Sequence, residues 1–141
     1  MEPNKPSAFL RLPNIALLWQ FLRFGTVGGG GFVVDTIVVY SLRGLVGLYW
    51  AGGLAYPVAS TFTWGCNRLW TFRGQSTGSV HGQWLRFLAV NLIGFTLNRG
   101  TYFILIATSP FCVTYPIVPV AAGAIAGMFV NFGLSRRLVF K

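Results

Sequence analysis

Acids are almost missing from this chain. Among 141 residues only Glu2 and Asp35 carry a carboxylate, against eleven Lys and Arg. Histidine occurs once, as His81, and cysteine twice, as Cys66 and Cys112. So few donors cannot be assembled into a metal-ligand set, and no metal or other cofactor is expected. No nucleophile, base and orienting group can be combined either, so the chain reads as a non-enzyme. Charged residues of both signs make up only 9%, where soluble domains carry about 25%. The glycine run Gly28-Gly29-Gly30-Gly31 lacks the following Lys-Ser/Thr and the preceding strand of a phosphate loop, which excludes a nucleotide-driven motor of that type.

What is present is apolar. Hydrophobic residues reach 54% and mean hydropathy is +0.62, so water is the wrong solvent for most of this surface. The net charge of +9 is not a nucleic-acid footprint on such a chain. It reports orientation in a bilayer and contact with anionic lipid. Residues 1–18 show no clean apolar core with a small-residue cleavage site, so a signal peptide is not expected.

The chain also repeats itself. Gln20-Phe21-Leu22-Arg23-Phe24 opens one apolar run, and Gln83-Trp84-Leu85-Arg86-Phe87 opens another 63 residues later. Arg68-Leu69-Trp70-Thr71-Phe72 and Arg136-Arg137-Leu138-Val139-Phe140 close the two halves at an offset of 68. Internal repetition in an apolar chain is a mark of transporters, whose sites form where the repeats meet. The organisation expected is one membrane domain over 1–141, with repeat 1 at about 20–72, a connector at 73–82 and repeat 2 at about 83–140.

Four spans are expected from the apolar runs, at about 23–42, 48–66, 85–107 and 117–134, each near the ~20 residues a helix needs to cross. Backbone groups in lipid must bond internally, which makes these runs helices. Pro13 to Leu22 reads either as an interfacial helix or as the leading edge of span one. Lys5, Arg11, Arg23, Arg68, Arg73, Arg86, Arg136, Arg137 and Lys141 would share one side, with Arg43 alone on the other. The positive-inside rule then puts both termini and the connector in the cytoplasm. Each repeat leaves the cytoplasm and returns, so the fold class is an all-α membrane protein of two parallel-topology hairpins. Trp19, Trp70 and Trp84 would lie at the cytoplasmic interface, and Tyr49 and Trp50 at the other. Cys66 and Cys112 would then sit on opposite sides, unable to bridge. His81 would be a solvated connector residue.

Polar residues inside the spans are the candidate site. Asp35 lies 12 residues beyond Arg23 and Arg99 lies 13 beyond Arg86, which at ~1.5 Å per residue puts both roughly 18–20 Å deeper. A charge alone at that depth costs about 2.5–3.5 kcal/mol or more, so an Asp35–Arg99 pair across the repeat interface is expected. It serves as a structural lock or as part of a polar path. Arg23, Arg86, Arg68 and Arg136 mark the cytoplasmic ends of all four spans. Each alone can be an anchor, but together their planar forks suit a lipid phosphate. Asn91 and Asn98, seven residues apart, share a helix face and can bond sugar hydroxyls or neighbouring helices. The Gly28–Gly31 run suits close helix approach or a mobile segment, and Gly123-x-x-x-Gly127 suits close packing.

Together these motifs resemble the GtrA-like family of small four-span membrane proteins. That pattern has Arg-Phe entering spans one and three, and closes spans two and four with something like Asn-Phe-x-x-Asn-Arg-x-Trp-x-Phe. The first closing here keeps Asn67, Arg68, Trp70 and Phe72 but not the leading Asn-Phe. The second keeps Asn131, Phe132, Arg136 and Phe140, with Ser135 and Leu138 in place of Asn and Trp. The resemblance covers about residues 20–140. It implies flipping of a polyprenyl-phosphate-linked monosaccharide across the bacterial inner membrane for cell-surface polysaccharide synthesis. It also implies work beside a membrane glycosyltransferase, and the small volume of four helices adds the expectation of a homo-oligomer. A non-transporting scaffold for that enzyme is the first alternative, and a small proton-coupled cation exporter the second.

Overall fold

Gly47 interrupts what would otherwise be one helix of 54 residues. The computed structural model describes residues 13–75, 78–115 and 117–140; within them the side chains of residues 13, 14, 48, 49, 99, 117 and 120 lie outside the description. Helix α1 runs Pro13–Cys66, and at Gly47 the backbone turns to φ 78, ψ 164. That positive φ costs an L side chain strain that glycine escapes. Here the chain folds back into two limbs. A Cβ on Gly30 would stand 3.3 Å from the Phe62 ring, and one on Gly31 would collide with Thr63. Gly30 and Gly31 thus serve close approach, while Gly28 and Gly29 meet nothing within 4 Å. Of the two readings of Pro13 to Leu22, the structure has the leading edge, because α1 is continuous from Pro13.

Helix α2, Val80–Thr108, starts where the Ser79 side chain accepts the Gly82 N–H at 3.0 Å, a standard N-cap. His81 therefore lies in the exposed first turn of a helix rather than in a loop. A five-residue helix α3, Pro110–Thr114, carries the buried Cys112 through the turn to α4, Ile117–Leu134. Both cysteines are free. Helix α4 lies tight on α2. A Cβ on Gly123 would be 2.5 Å from the Asn98 carbonyl oxygen, and one on Gly127 2.9 Å from that of Gly94. Only glycine lets the two backbones come this near.

Each half of the chain ends in a π turn, Asn67–Thr71 and Ser135–Val139. In the first the Phe72 N–H reaches the Asn67 oxygen at 2.8 Å, and in the second the Phe140 N–H reaches that of Ser135 at 2.9 Å. Both turns deliver a phenylalanine to the interior at one end of the bundle, where Phe72 and Phe140 stack at 4.4 Å and 8°. Around them Phe24, Phe87, Val90, Phe132 and Val139 form the buried core.

The rest of the surface is apolar. Phe32 is 73% exposed, Leu45 81% and Trp50 73%, while Gln83, Asn67 and Ser135 are buried. This inverts the partition of a water-soluble domain. Among the described residues one helix, Ile15–Gly47 with an 18-residue stretch of mean hydropathy 1.3, is long and apolar enough to cross a membrane. Helices α2 and α4 have 29 and 18 residues, about 44 and 27 Å at ~1.5 Å per residue. Among the described residues the chain is helical with no strand. Lys5, Arg11 and Lys141, and the side chain of Tyr49, lie outside the described residues.

Candidate functional site

The Phe-rich end of the bundle carries a polar layer built on two glutamines. Gln20 on α1 donates from Nε2 to the Thr71 oxygen at 3.4 Å. Gln83 on α2 donates from Nε2 to the Val139 oxygen at 3.3 Å. The partners stand at the offsets of 63 and 68 that the sequence shows, so each glutamine ties its own helix to the π turn of its own half. Carbonyls near a π turn miss their regular helical donors, and a side-chain amide is a ready substitute.

From there the two halves diverge. Gln83 is fully buried, and its Oε1 accepts from Trp64 Nε1 at 3.3 Å and from Arg68 Nη1. Arg68 also lies over the Trp64 ring at 5.9 Å. Its guanidinium is therefore engaged by Gln83 and Trp64, half-buried against them. In the other half Arg23 is exposed and lies over the Trp70 ring at 5.7 Å. Stacking on a ring face leaves the in-plane N–H donors of a guanidinium available. Where Trp70 lies in the first half, Leu138 lies in the second, so Arg86 has no such ring at the matching position.

A cavity of about 420 Å³ opens in the first half, lined by Trp19, Gln20, Arg23, Thr71, Gln75 and Arg136 among others. Two arginines from opposite halves of the sequence thus face one space. The volume falls within the ~300–1,000 Å³ range of small-molecule sites. Planar N–H forks in a polar recess beside an apolar surface can hold an oxyanion whose other end stays in lipid. A second cavity of about 300 Å³ lies between Thr61, Trp64, Val80, His81 and Trp84, and is almost wholly apolar. Trp84 Nε1 donates to Thr61 Oγ1 there at 2.9 Å.

The remaining candidates lie elsewhere. Arg86 is exposed on α2 and lines neither cavity. Asp35 is half-buried on the first limb of α1, and Asn91 and Asn98 are half-buried on α2. Asn98 lies at the α2–α4 crossing, against Gly123 and Gly127. The Arg99 side chain lies outside the described residues, and with it the Asp35–Arg99 pair. Gln20 and Gln83 carry the polar layer, although in the sequence they stand out only as the first letters of the repeated motif. The signal was there: an amide recurs at the same place ahead of Leu-Arg-Phe.

No curated protein sequence matches the chain. The family model of the GtrA/DPMS transmembrane domain matches residues 23–140, nearly the whole length, and the chain belongs to that family of membrane proteins.

Proposed function

We propose that this protein moves a polyprenyl-phosphate-linked monosaccharide across the bacterial inner membrane, and that Arg23 and Arg136 hold its phosphate. The observation that carries this reading is their meeting in one open cavity, while Arg68 is bound to Gln83. Membership of the GtrA/DPMS transmembrane family supports a role with sugar lipids. A greasy tail of this kind can stay in the bilayer, so only the anionic, hydroxyl-rich head has to cross. Its desolvation is the main cost, which a polar lining of Asp35, Arg99, Asn91 and Asn98 would lower. Each charge-assisted hydrogen bond to the phosphate adds about 1.5–3 kcal/mol. Arg86 and Arg68 sit at the same end and draw anionic headgroups to it. The protein acts here without bond-making chemistry, and movement runs downhill towards consumption on the far face.

The topology that goes with this function has four spans as two like-facing hairpins, repeat 1 at about 20–72 and repeat 2 at about 83–140. Both ends and the Phe-rich layer face the cytoplasm, where Arg68, Arg73, Arg86, Arg136 and Arg137 gather. Tags at the two termini should be digested from the same side of sealed vesicles; tags on opposite sides would rule the topology out. Four helices enclose little volume, so a second copy or a partner glycosyltransferase completes the path.

The function itself is tested in proteoliposomes with a labelled polyprenyl-phosphate monosaccharide. The wild-type protein should speed its passage, and Arg23→Ala with Arg136→Ala should slow it at least tenfold while insertion stays normal. A wild-type protein that moves no lipid but still co-purifies with a glycosyltransferase would make it a scaffold instead.

A further inference from the structure

We infer that the Arg23/Arg136 cavity contains a sugar subsite formed by Trp19, Gln20 and Gln75, which selects lipid phosphates that carry a monosaccharide; this rests on the phosphate reading above. Gln20 Nε2 donates to Gln75 Oε1 at 3.0 Å. That bond uses the donor of one amide and the acceptor of the other. Gln20 keeps an acceptor, Oε1, and Gln75 keeps a donor, Nε2. A sugar hydroxyl is both donor and acceptor, so neighbouring hydroxyls of one ring match this split pair. A bare phosphate, which only accepts, gains nothing from the Gln20 oxygen.

Trp19 adds the other half of sugar chemistry. The residue is 60% exposed and lines the same cavity. A pyranose has an apolar face of C–H groups, and an indole face beside polar groups holds it by stacking and burial. The matching position in the second half of the chain is Gly82, whose place offers no ring, and Thr71 is matched there by Val139. Of the two matching positions, only the one beside Arg23 offers an aromatic face, and there it lines the same cavity as the Gln20–Gln75 pair. An interfacial anchor needs a Trp at this depth, but it does not need the amide pair next to it.

The test compares three probes in vesicles: a polyprenyl-phosphate monosaccharide, bare polyprenyl phosphate, and phosphatidylglycerol. The wild-type protein should bind the sugar lipid at least tenfold more tightly than bare polyprenyl phosphate. Trp19→Leu keeps a greasy anchor and removes the ring; it should shrink that ratio to about twofold or less, with bare polyprenyl phosphate bound as before. Gln75→Leu should shrink it in part. Equal wild-type affinity for the two polyprenyl lipids would overturn the sugar subsite and leave the phosphate site standing. An equal loss for both lipids in Trp19→Leu would overturn it too, and make the residue an anchor. Binding of polyprenyl phosphate no tighter than phosphatidylglycerol would overturn both readings.

Discussion

Gln83→Leu is expected to destabilise the protein by about 2–5 kcal/mol, whereas Gln20→Leu costs at most about 1 kcal/mol. The two glutamines hold matching places, and the difference lies in what surrounds them. Gln83 is fully buried and joins three groups: the Val139 carbonyl, the Trp64 indole and the Arg68 guanidinium. Leucine fills the space but leaves the buried Val139 carbonyl and the half-buried Trp64 and Arg68 donors without that partner. An unsatisfied buried donor or acceptor costs about 1–3 kcal/mol, and more when it is charged. Gln20 is half-buried and bonds at the edge of an open cavity, so water replaces what the amide supplied. Thermal unfolding in detergent reads both values. Adding Arg68→Leu to Gln83→Leu should recover part of the loss, because no charge is then left unpaired. Equal losses at Gln20 and Gln83 would show that the halves are equivalent, and the division into an open and a closed arginine position would fall.

The second large effect is expected at the crossing of α2 and α4. Gly123→Ala with Gly127→Ala should open this hairpin, at about 1–3 kcal/mol for each overpacked methyl. The reason is what each methyl would meet. At Gly123 it is the Asn98 carbonyl oxygen at 2.5 Å, and at Gly127 the Gly94 carbonyl oxygen at 2.9 Å. These are backbone atoms of a continuous helix and cannot rotate away as a side chain does. Gly28→Ala and Gly133→Ala are the controls, since a methyl at either meets nothing within 4 Å. Both should be neutral or slightly stabilising, because alanine is the better helix former. A cysteine pair across the crossing should lose its cross-link in the double variant and keep it in the controls. If the double variant instead changed only the subunit count, the glycines would serve an interface between copies rather than the packing inside one.

Much of the fold was legible because it is local. The Arg-Phe openings, the Gly-x-x-x-Gly spacing and the 117–134 run each depend on residues a few places apart, and α4 spans Ile117–Leu134. Hydropathy announced a surface made for lipid, and the exposed Phe32, Leu45 and Trp50 belong to it. The start of α2 was less legible. Connector and helix share the polar stretch before Gln83, and the Ser79 cap decides where one becomes the other. The π turns left no trace in composition. A π turn inserts one residue and rotates the chain beyond it, and only the finished stack of Phe72 on Phe140 gives that rotation its purpose.

The arginines illustrate the boundary best. Four of them recur at the ends of the apolar runs, and sequence spacing treats them as one ring. The structure separates them: Arg23 and Arg136 face one cavity, Arg68 is held by Gln83, and Arg86 lies exposed. Spacing along a helix gives depth, but not which faces meet.

By itself, the sequence determined the solvent and the all-helical class, since transfer energy and helix periodicity are sums over neighbours in the chain. Which arginine stays open and which is bound was decided only by the tertiary structure. Glycine contacts set how near the helices lie, and the π turns set where the side chains then point; both depend on residues far apart in the chain.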